Sequence, residues 1–255
     1  MTSFKIKYPI IQRYLSGPSK RRPCLSLARC RFMVAHDTGN PGSTAAANVS
    51  YYERSRNDMS SSAHVFVDDN EILECIPFLT GPAEKAYHVV YNVTTDNARY
   101  GADANDAAGG VELCYGGSIN LKEAYKRYVW VMAYSCYRYG LNPATDITGH
   151  YILDPARRTD PQNALRLLGK TFTDFVDDVA AEYQDCLEEE CTMRPEDAND
   201  IINTFLSPAW FNFDAQMKQA LKEGRYDDAK LCLQYRDHQK HLANELRKAS
   251  GQPVE

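Results

Sequence analysis

Short apolar segments alternate with longer amphipathic ones over residues 31–185, and this alternation constrains the fold more than any other feature. Short apolar or alternating runs predict strands, and runs with a 3.6-residue period predict helices. Strands that alternate with helices are typical of α/β proteins, and a hairpin adds an antiparallel pair. We therefore predict an α/β fold with a central mixed β-sheet flanked by helices. The predicted strands are 31–35, 63–67, 71–76, 110–115 and 146–148, and the predicted helices are 43–54, 121–139 and 162 into the 180s.

Local signals indicate where these elements begin and end. Ser43 is expected to cap the first helix. Asn120 is expected to cap the second helix, and Gly140 to end it in the left-handed conformation. Residues 91–109 are rich in Asn, Asp, Ala and Gly, and this composition predicts a long loop.

The N-terminal segment differs from the rest in charge. Residues 1–31 contain eight Lys and Arg residues and no Asp or Glu. Pro9 and Pro23 oppose a helix there, so residues 1–30 are predicted to be an extended basic lead-in. Such a segment is either a solvated arm or a contact for an anionic polymer.

An acidic run marks a second boundary. Eleven Asp and Glu residues occur within 171–200, which separates a domain at 31–185 from a small all-α C-terminal region at 192–255. The spacing of apolar residues in the last helix predicts a stripe of side chains along one of its faces. The C-terminal helices are predicted at 196–206, 210–221 and 226–249, and the stripe consists of Leu231, Tyr235, His238, Leu242 and Leu246.

Composition excludes several classes of protein. The 255 residues are 44% hydrophobic and 25% charged, as in packed globular proteins. The net charge of −5 gives no basic excess for binding nucleic acid. Apolar runs are only a few residues long, so we predict neither membrane insertion nor a signal peptide, and we expect synthesis in the cytoplasm. Eight cysteines without a C-x-x-C pair are expected to be reduced thiols.

Three residues could form a metal site. His36 ends a strand at a glycine-rich loop, His150 follows another strand, and Asp160 precedes a proline ten residues later. Two imidazoles and one carboxylate suffice for a catalytic zinc with water as fourth ligand. Histidines at strand ends are also often hydrogen-bonded core residues, so pattern alone leaves both interpretations open.

Glu112 is a further candidate because it lies in an apolar strand. A carboxylate there is paired, exposed on an open sheet face, or kept for catalysis. A metal-activated water needs a carboxylate base nearby, so a catalytic role and a simple exposed side chain both stay open.

Five segments, in order, resemble the zinc-dependent N-acetylmuramoyl-L-alanine amidases, the group shared by phage endolysins, bacterial autolysins and peptidoglycan recognition proteins. They match a strand-to-loop motif that ends in histidine, an S-x-H hairpin, an A-W-H element, a G-I-E strand and a closing ligand segment. The resemblance covers about residues 30–180. The segments are Val34 to Asn40, Ser61 to Asp68, Ala86 to His88, Gly110 to Cys114 and Gly149 to Pro161.

The resemblance implies a role for each matched residue. His36, His150 and Asp160 would bind Zn²⁺, and Glu112 would be the catalytic carboxylate. Arg158 stands where many members carry Lys, and as a permanently charged fork it would stabilise the oxyanion in a different geometry.

Two further histidines, His64 and His88, match family positions that shape the site without binding metal. Packed, hydrogen-bonded histidines would give the same pattern.

The implied activity is hydrolysis of the amide between N-acetylmuramic acid and L-alanine in peptidoglycan, as a phage or prophage endolysin that acts on the cell wall after release. Residues 31–185 would be the catalytic domain, and the helices of 192–255 would target the wall, form a homodimer or pack on the catalytic domain. A non-catalytic peptidoglycan-binding module and a cytoplasmic amidase that recycles muropeptides are the alternatives.

Overall fold

The computed structural model describes residues 3–188 and 193–254. They form two compact units, one of the described residues up to Glu188 and one of those beyond it. Within the described ranges, we find no helix that is long and apolar enough to cross a membrane.

The first unit is built on a six-stranded mixed sheet with the order β2-β5-β4-β6-β3-β7. The β4–β5 pair is antiparallel, and the other neighbours are parallel. A two-stranded antiparallel pair joins β1 to β8. The strands are β1 Ser3–Phe4, β2 Ile10–Gln12, β3 Phe32–Asp37, β4 Val65–Val67, β5 Ile72–Glu74, β6 Ala108–Leu113, β7 Ile147–Gly149 and β8 Leu187–Glu188.

Helices flank this sheet, which confirms the predicted fold class. The longest, α4, has a buried face that includes Tyr128 and Trp130, and it packs against α7 through Phe175. Its predicted start at the Asn120 cap and its end at Gly140 are confirmed. The helices are α1 Ala45–Arg54, α2 Thr95–Tyr100, α3 Ala104–Ala107, α4 Leu121–Tyr139, α5 His150–Leu153, α6 Gln162–Leu167 and α7 Phe172–Cys186.

Parallel pairing of β3 with β6 sets the position of the candidate site. The two strands are in register, with His36 opposite Glu112. On the other side, β3 pairs with β7, whose last residue leads directly into His150. Because the carboxyl ends of parallel strands meet at one sheet edge, these three side chains emerge together.

Three local predictions were wrong. The segment predicted as a loop at 91–109 contains α2 and α3, which are too short to show a helical period and depend on side-chain contacts such as the bond from the Ala104 amide to Asp96. The helix predicted from residue 162 is two helices, because Gly169 adopts a left-handed φ of +68° between them. The cap of α1 is Thr44 and not Ser43.

The basic lead-in is packed and is not a solvated arm. Strand β2 pairs with β5, and Leu15 is buried in the core. Arg21 is fully buried and stacks over Tyr52, with its guanidinium carbon 4.1 Å from the ring centroid. It also donates to Ser55 and to the carbonyl of Ser61, so it links the lead-in to α1 and to the loop before β4.

Replacing Arg21 should therefore destabilise the first unit. Arg21→Met leaves the Ser61 carbonyl and Ser55 without their donor, and we expect a loss of about 2–4 kcal/mol in the free energy of unfolding. Chemical denaturation measures this loss, with Lys20→Ala at the exposed neighbour as control. Equal stability of the two variants would contradict the anchoring role.

The second unit is helical, as predicted. A π-helical segment, Ile202–Leu206, continues α8 directly into α9. The predicted break between residues 206 and 210 is absent: Pro208 is the second residue of α9, and the π-helical segment before it carries the helix past this proline. The helices are α8 Pro195–Ile201, α9 Ser207–Lys222 and α10 Tyr226–Ala249.

The predicted apolar stripe on α10 is not its packed face. Leu231 is 48% exposed and Leu242 is 37% exposed. The buried residues of α10 are Ala229 and Ala243, whose small side chains let α9 approach closely. Of the stripe, Tyr235 stacks on Phe213 of α9 with the ring centroids 5.3 Å apart, whereas Leu231 and Leu242 stay exposed.

Candidate active site

A cleft of about 730 Å³ lies at the carboxyl edge of the sheet. His36, His150 and Asp160 line one part of it, and Glu112 and Arg158 line it as well. The structure thus brings together the five residues that the sequence singled out, and their roles stay predictions. Residues that the sequence analysis did not single out also line the cleft, among them Tyr52, Ser60 and Tyr91.

The three candidate ligands converge on one point. Nδ1 of His36 is 2.8 Å from Oδ2 of Asp160, and Nδ1 of His150 is 3.0 Å from the same oxygen. All three ligand atoms lie within 4.8 Å of one another, so they could hold a single metal ion. The backbone bond from Tyr151 N to Asp160 O ties the Asp160 loop to α5.

Burial controls the charge of these ligands. It lowers the pKa of His36 to about 4, against the opposing effect of the Asp160 carboxylate, so the imidazole is neutral at pH 7. Burial acts to raise the pKa of Asp160, but its hydrogen bonds with His150 and His36 outweigh this effect, and the pKa falls below the usual range. His36 therefore offers a neutral nitrogen, and Asp160 offers an anionic oxygen.

Glu112 has the opposite electrostatics. Burial, and then the negative charges of Asp160 and Asp37, raise its pKa well above the ordinary value. Its Oε2 is buried and has no hydrogen-bond partner within the described residues. This oxygen is thus neither paired nor exposed, and the catalytic role of Glu112 stays a prediction. An unpartnered carboxylate that faces a cleft is available to bind or transfer a proton.

The two neighbouring arginines differ in their contacts. Arg157 forms two hydrogen bonds to the buried Asp154 and a third to Asn92, so it stabilises the loop. Arg158 is exposed at the rim of the cleft, and its positive charge acts on both Glu112 and His36.

Two further residues hold the site in position, and no clear sequence signal marks either of them. Asp37 is buried directly after His36 and accepts bonds from Asn163 and from the amide of Ala164, which ties β3 to α6. The Tyr128 hydroxyl of α4 donates to the His36 carbonyl over 3.0 Å. Both contacts join segments distant in sequence, so neither was predicted.

His64 and His88 are both buried beside the ligands and outside the group that converges on Asp160. His64 accepts from the Gly110 amide and contacts the Glu84 carbonyl, so backbone groups satisfy both of its ring nitrogens. His88 contacts His36 instead, with its Nδ1 3.1 Å from Nε2 of His36.

Solved structures share this fold. One is that of the hydrolase AmiA of Staphylococcus aureus in complex with its ligand, with a TM-score of 0.55 and 22% identity over 70% of this chain and 85% of that one. Another is a mutant endolysin from Bacillus subtilis, with a TM-score of 0.52 and 22% identity over 68% of this chain and 99% of that one.

Sequence comparison gives a more specific result. The chain is 30% identical over 161 residues to the N-acetylmuramoyl-L-alanine amidase BlyA of Bacillus subtilis, which is 59% of this chain and 40% of that protein. The chain thus spans less than half the length of this curated relative. The profile of the N-acetylmuramoyl-L-alanine amidase family, Amidase_2, matches residues 26–163, the stretch that contains β3 to β7 and the cleft residues described above. Since that match covers more than half of the sequence, the chain belongs to the N-acetylmuramoyl-L-alanine amidase family.

Proposed function

We propose that this protein hydrolyses the amide bond between N-acetylmuramic acid and L-alanine in peptidoglycan, with zinc as its metal. The observation that carries the proposal is the convergence of His36, His150 and Asp160 in the same cleft as the unpartnered Oε2 of Glu112. Family membership supports the choice of substrate.

The ligand group fits zinc in its chemistry. Two neutral imidazoles and one carboxylate are a common set for catalytic zinc, which keeps one position open. The lowered pKa of His36 leaves its ring free of the competing proton at pH 7, and Asp160 stays ionised. Zinc, when bound, would polarise the substrate carbonyl and make water more acidic.

Glu112 would act as the general base and then the general acid. Its Oε2 would take a proton from the attacking water and later deliver it to the departing amine of L-alanine. A raised pKa suits both steps, because a carboxylate with a higher pKa is a stronger base and its acid form persists nearer to neutral pH. Arg158, at the rim, would stabilise the negative charge that develops on the carbonyl oxygen.

The proposed biological role is that of a phage or prophage endolysin that acts on the cell wall. Its likeness in fold to an endolysin supports this role. A non-catalytic binding module is less favoured because all four groups, His36, His150, Asp160 and Glu112, are in place. An amidase that recycles muropeptides would prefer soluble fragments, so comparing intact walls with soluble muropeptides distinguishes the two amidase roles.

For the second unit, we propose self-association through the α10 stripe. Leu231 and Leu242 are exposed, which favours a contact surface over a helix packed by its own stripe. The first turn of α10 is acidic and its last turn is basic, so two antiparallel copies would place opposite charges together at both ends. The alternative to self-association is that this surface binds a polymer of the cell wall.

Leu242→Asp should therefore halve the mass measured by light scattering at a concentration where the parent protein dimerises. Leu233→Asp is a matched control, because Leu233 is also 37% exposed on α10 but lies off the stripe. A parent protein that is monomeric, or a Leu242→Asp variant that stays dimeric, would contradict the proposal. If Leu242→Asp lost binding to the cell wall while its mass stayed the same, the stripe would be a binding surface for the wall.

Glu112→Gln should abolish turnover and keep the metal. Removing the base is expected to lower the rate of amide cleavage by about 100- to 10,000-fold. The assay is release of L-alanine amino termini from purified walls, with bound zinc measured in the same sample. Glu123→Gln, on the exposed face of α4, is the matched control and should cleave at the parent rate. Undiminished turnover in Glu112→Gln would remove Glu112 from the mechanism.

Zinc should stay bound in mild acid. Because burial lowers the pKa of His36 to about 4, protons compete for its nitrogen only as the pH falls through that value. The protein is dialysed at a series of pH values between about pH 7.5 and about pH 3.5, and the zinc that stays bound is measured at each pH. The pH at which half of the zinc is lost is the midpoint, and circular dichroism reports whether the protein is still folded. A midpoint near 6.5, the ordinary pKa of histidine, in a folded protein would contradict this assignment.

A further inference from the structure

We infer that His88 is a positioning residue that fixes the tautomer of His36, so that the Nδ1 lone pair of His36 points to the metal position. The inference rests on the proposed metal site. It gives His88 a defined role that a merely packed histidine would not have.

The ring of His88 is oriented by the backbone of β6. Its Nε2 is 3.3 Å from the carbonyl oxygen of Ala108. A carbonyl oxygen only accepts, so Nε2 of His88 carries the proton and donates it. In the neutral imidazole, Nδ1 of His88 is then an acceptor.

That acceptor determines the proton on His36. Nε2 of His36 lies 3.1 Å from Nδ1 of His88, and a hydrogen bond between them requires Nε2 of His36 to donate. Nδ1 of His36 therefore carries a lone pair. Metal-binding histidines are commonly held in one tautomer by a partner at the other ring nitrogen.

The consequence appears at Asp160. Nδ1 of His36 and Oδ2 of Asp160 are 2.8 Å apart, close enough for a hydrogen bond when Nδ1 is protonated, but in the tautomer that His88 favours both atoms are acceptors. Two acceptors at this distance repel each other unless a cation lies between them. The relay from Ala108 through His88 thus prepares the His36 nitrogen for a metal ion.

His88 is held rigidly enough for this role. Its backbone amide donates to Oδ1 of Asn105 over 2.9 Å, and the amide of Val89 donates to the same atom. The ring packs flat against Gly110, where an added Cβ would come within 2.7 Å of the His88 ring. Glycine at this position therefore makes room for the imidazole next to the sheet.

Two substitutions separate the relay from simple packing. His88→Asn keeps an acceptor near the position of Nδ1, and His88→Gln keeps a donor near the position of Nε2 for the Ala108 carbonyl. We expect His88→Gln to weaken zinc binding by about 10- to 100-fold and His88→Asn to bind zinc within a few-fold of the parent. Competition with a chromophoric chelator measures both affinities, and thermal unfolding checks the fold. Equal zinc affinity in the two variants would overturn the relay.

A second measurement uses the unaltered, zinc-bound protein. Nitrogen-15 NMR of the histidine rings at neutral pH should show His88 protonated at Nε2 and unprotonated at Nδ1, beside a His36 ring that is protonated at Nε2. A proton on Nδ1 of His88 would overturn the inference. Since this experiment involves no turnover, a failure of the amidase activity would leave its result unaffected.

Discussion

The parallel pairing of β3 with β6 is the constraint on which the rest of the site depends. It sets His36 opposite Glu112, and the pairing of β3 with β7 delivers His150 to the same edge. Side chains alternate along a strand, so a shift of one residue would turn His36 to the other face of the sheet. Both faces of β3 are buried, with Met33 in the main core and Phe32 in a second apolar cluster, so a shift would force side chains of different size into packed layers that do not fit them.

The site shifts the pKa values of two carboxyl groups in one cleft in opposite directions. Asp160 lies between two imidazoles, and those contacts lower its pKa and keep it ionised. The Oε2 atom of Glu112 is buried without a partner, and the negative charge of Asp160 raises the pKa of this carboxyl further. These are the electrostatic states that the proposed metal-assisted hydrolysis requires of its ligand and of its base.

Local sequence signals predicted the elements whose formation is itself local. The helix α4 has a cap at Asn120, a long period and a terminal glycine, and its bounds match the prediction. The short helices at 95–107 have no measurable period and rest on buried side chains such as Asp96, so composition indicated a loop. Packing of the lead-in through Arg21 depends on contacts with Ser55 and Ser61, which lie more than thirty residues away.

The same distinction applies to the site. Strand ends and motif order indicated His36, Glu112, His150 and Asp160, because each lies in a recognisable local pattern. The residues that hold them in position were not predicted. The hydrogen bonds from Tyr128 to His36 and from Asn163 to Asp37 form only when segments distant in sequence meet.

The most direct test of the account is digestion of purified cell walls with and without a metal chelator, with new L-alanine amino termini and new reducing sugar ends measured together. The account predicts amino termini that appear only without the chelator, and no reducing ends. Wall binding without any release of amino termini, or release that the chelator leaves unchanged, would contradict a metal-dependent amidase.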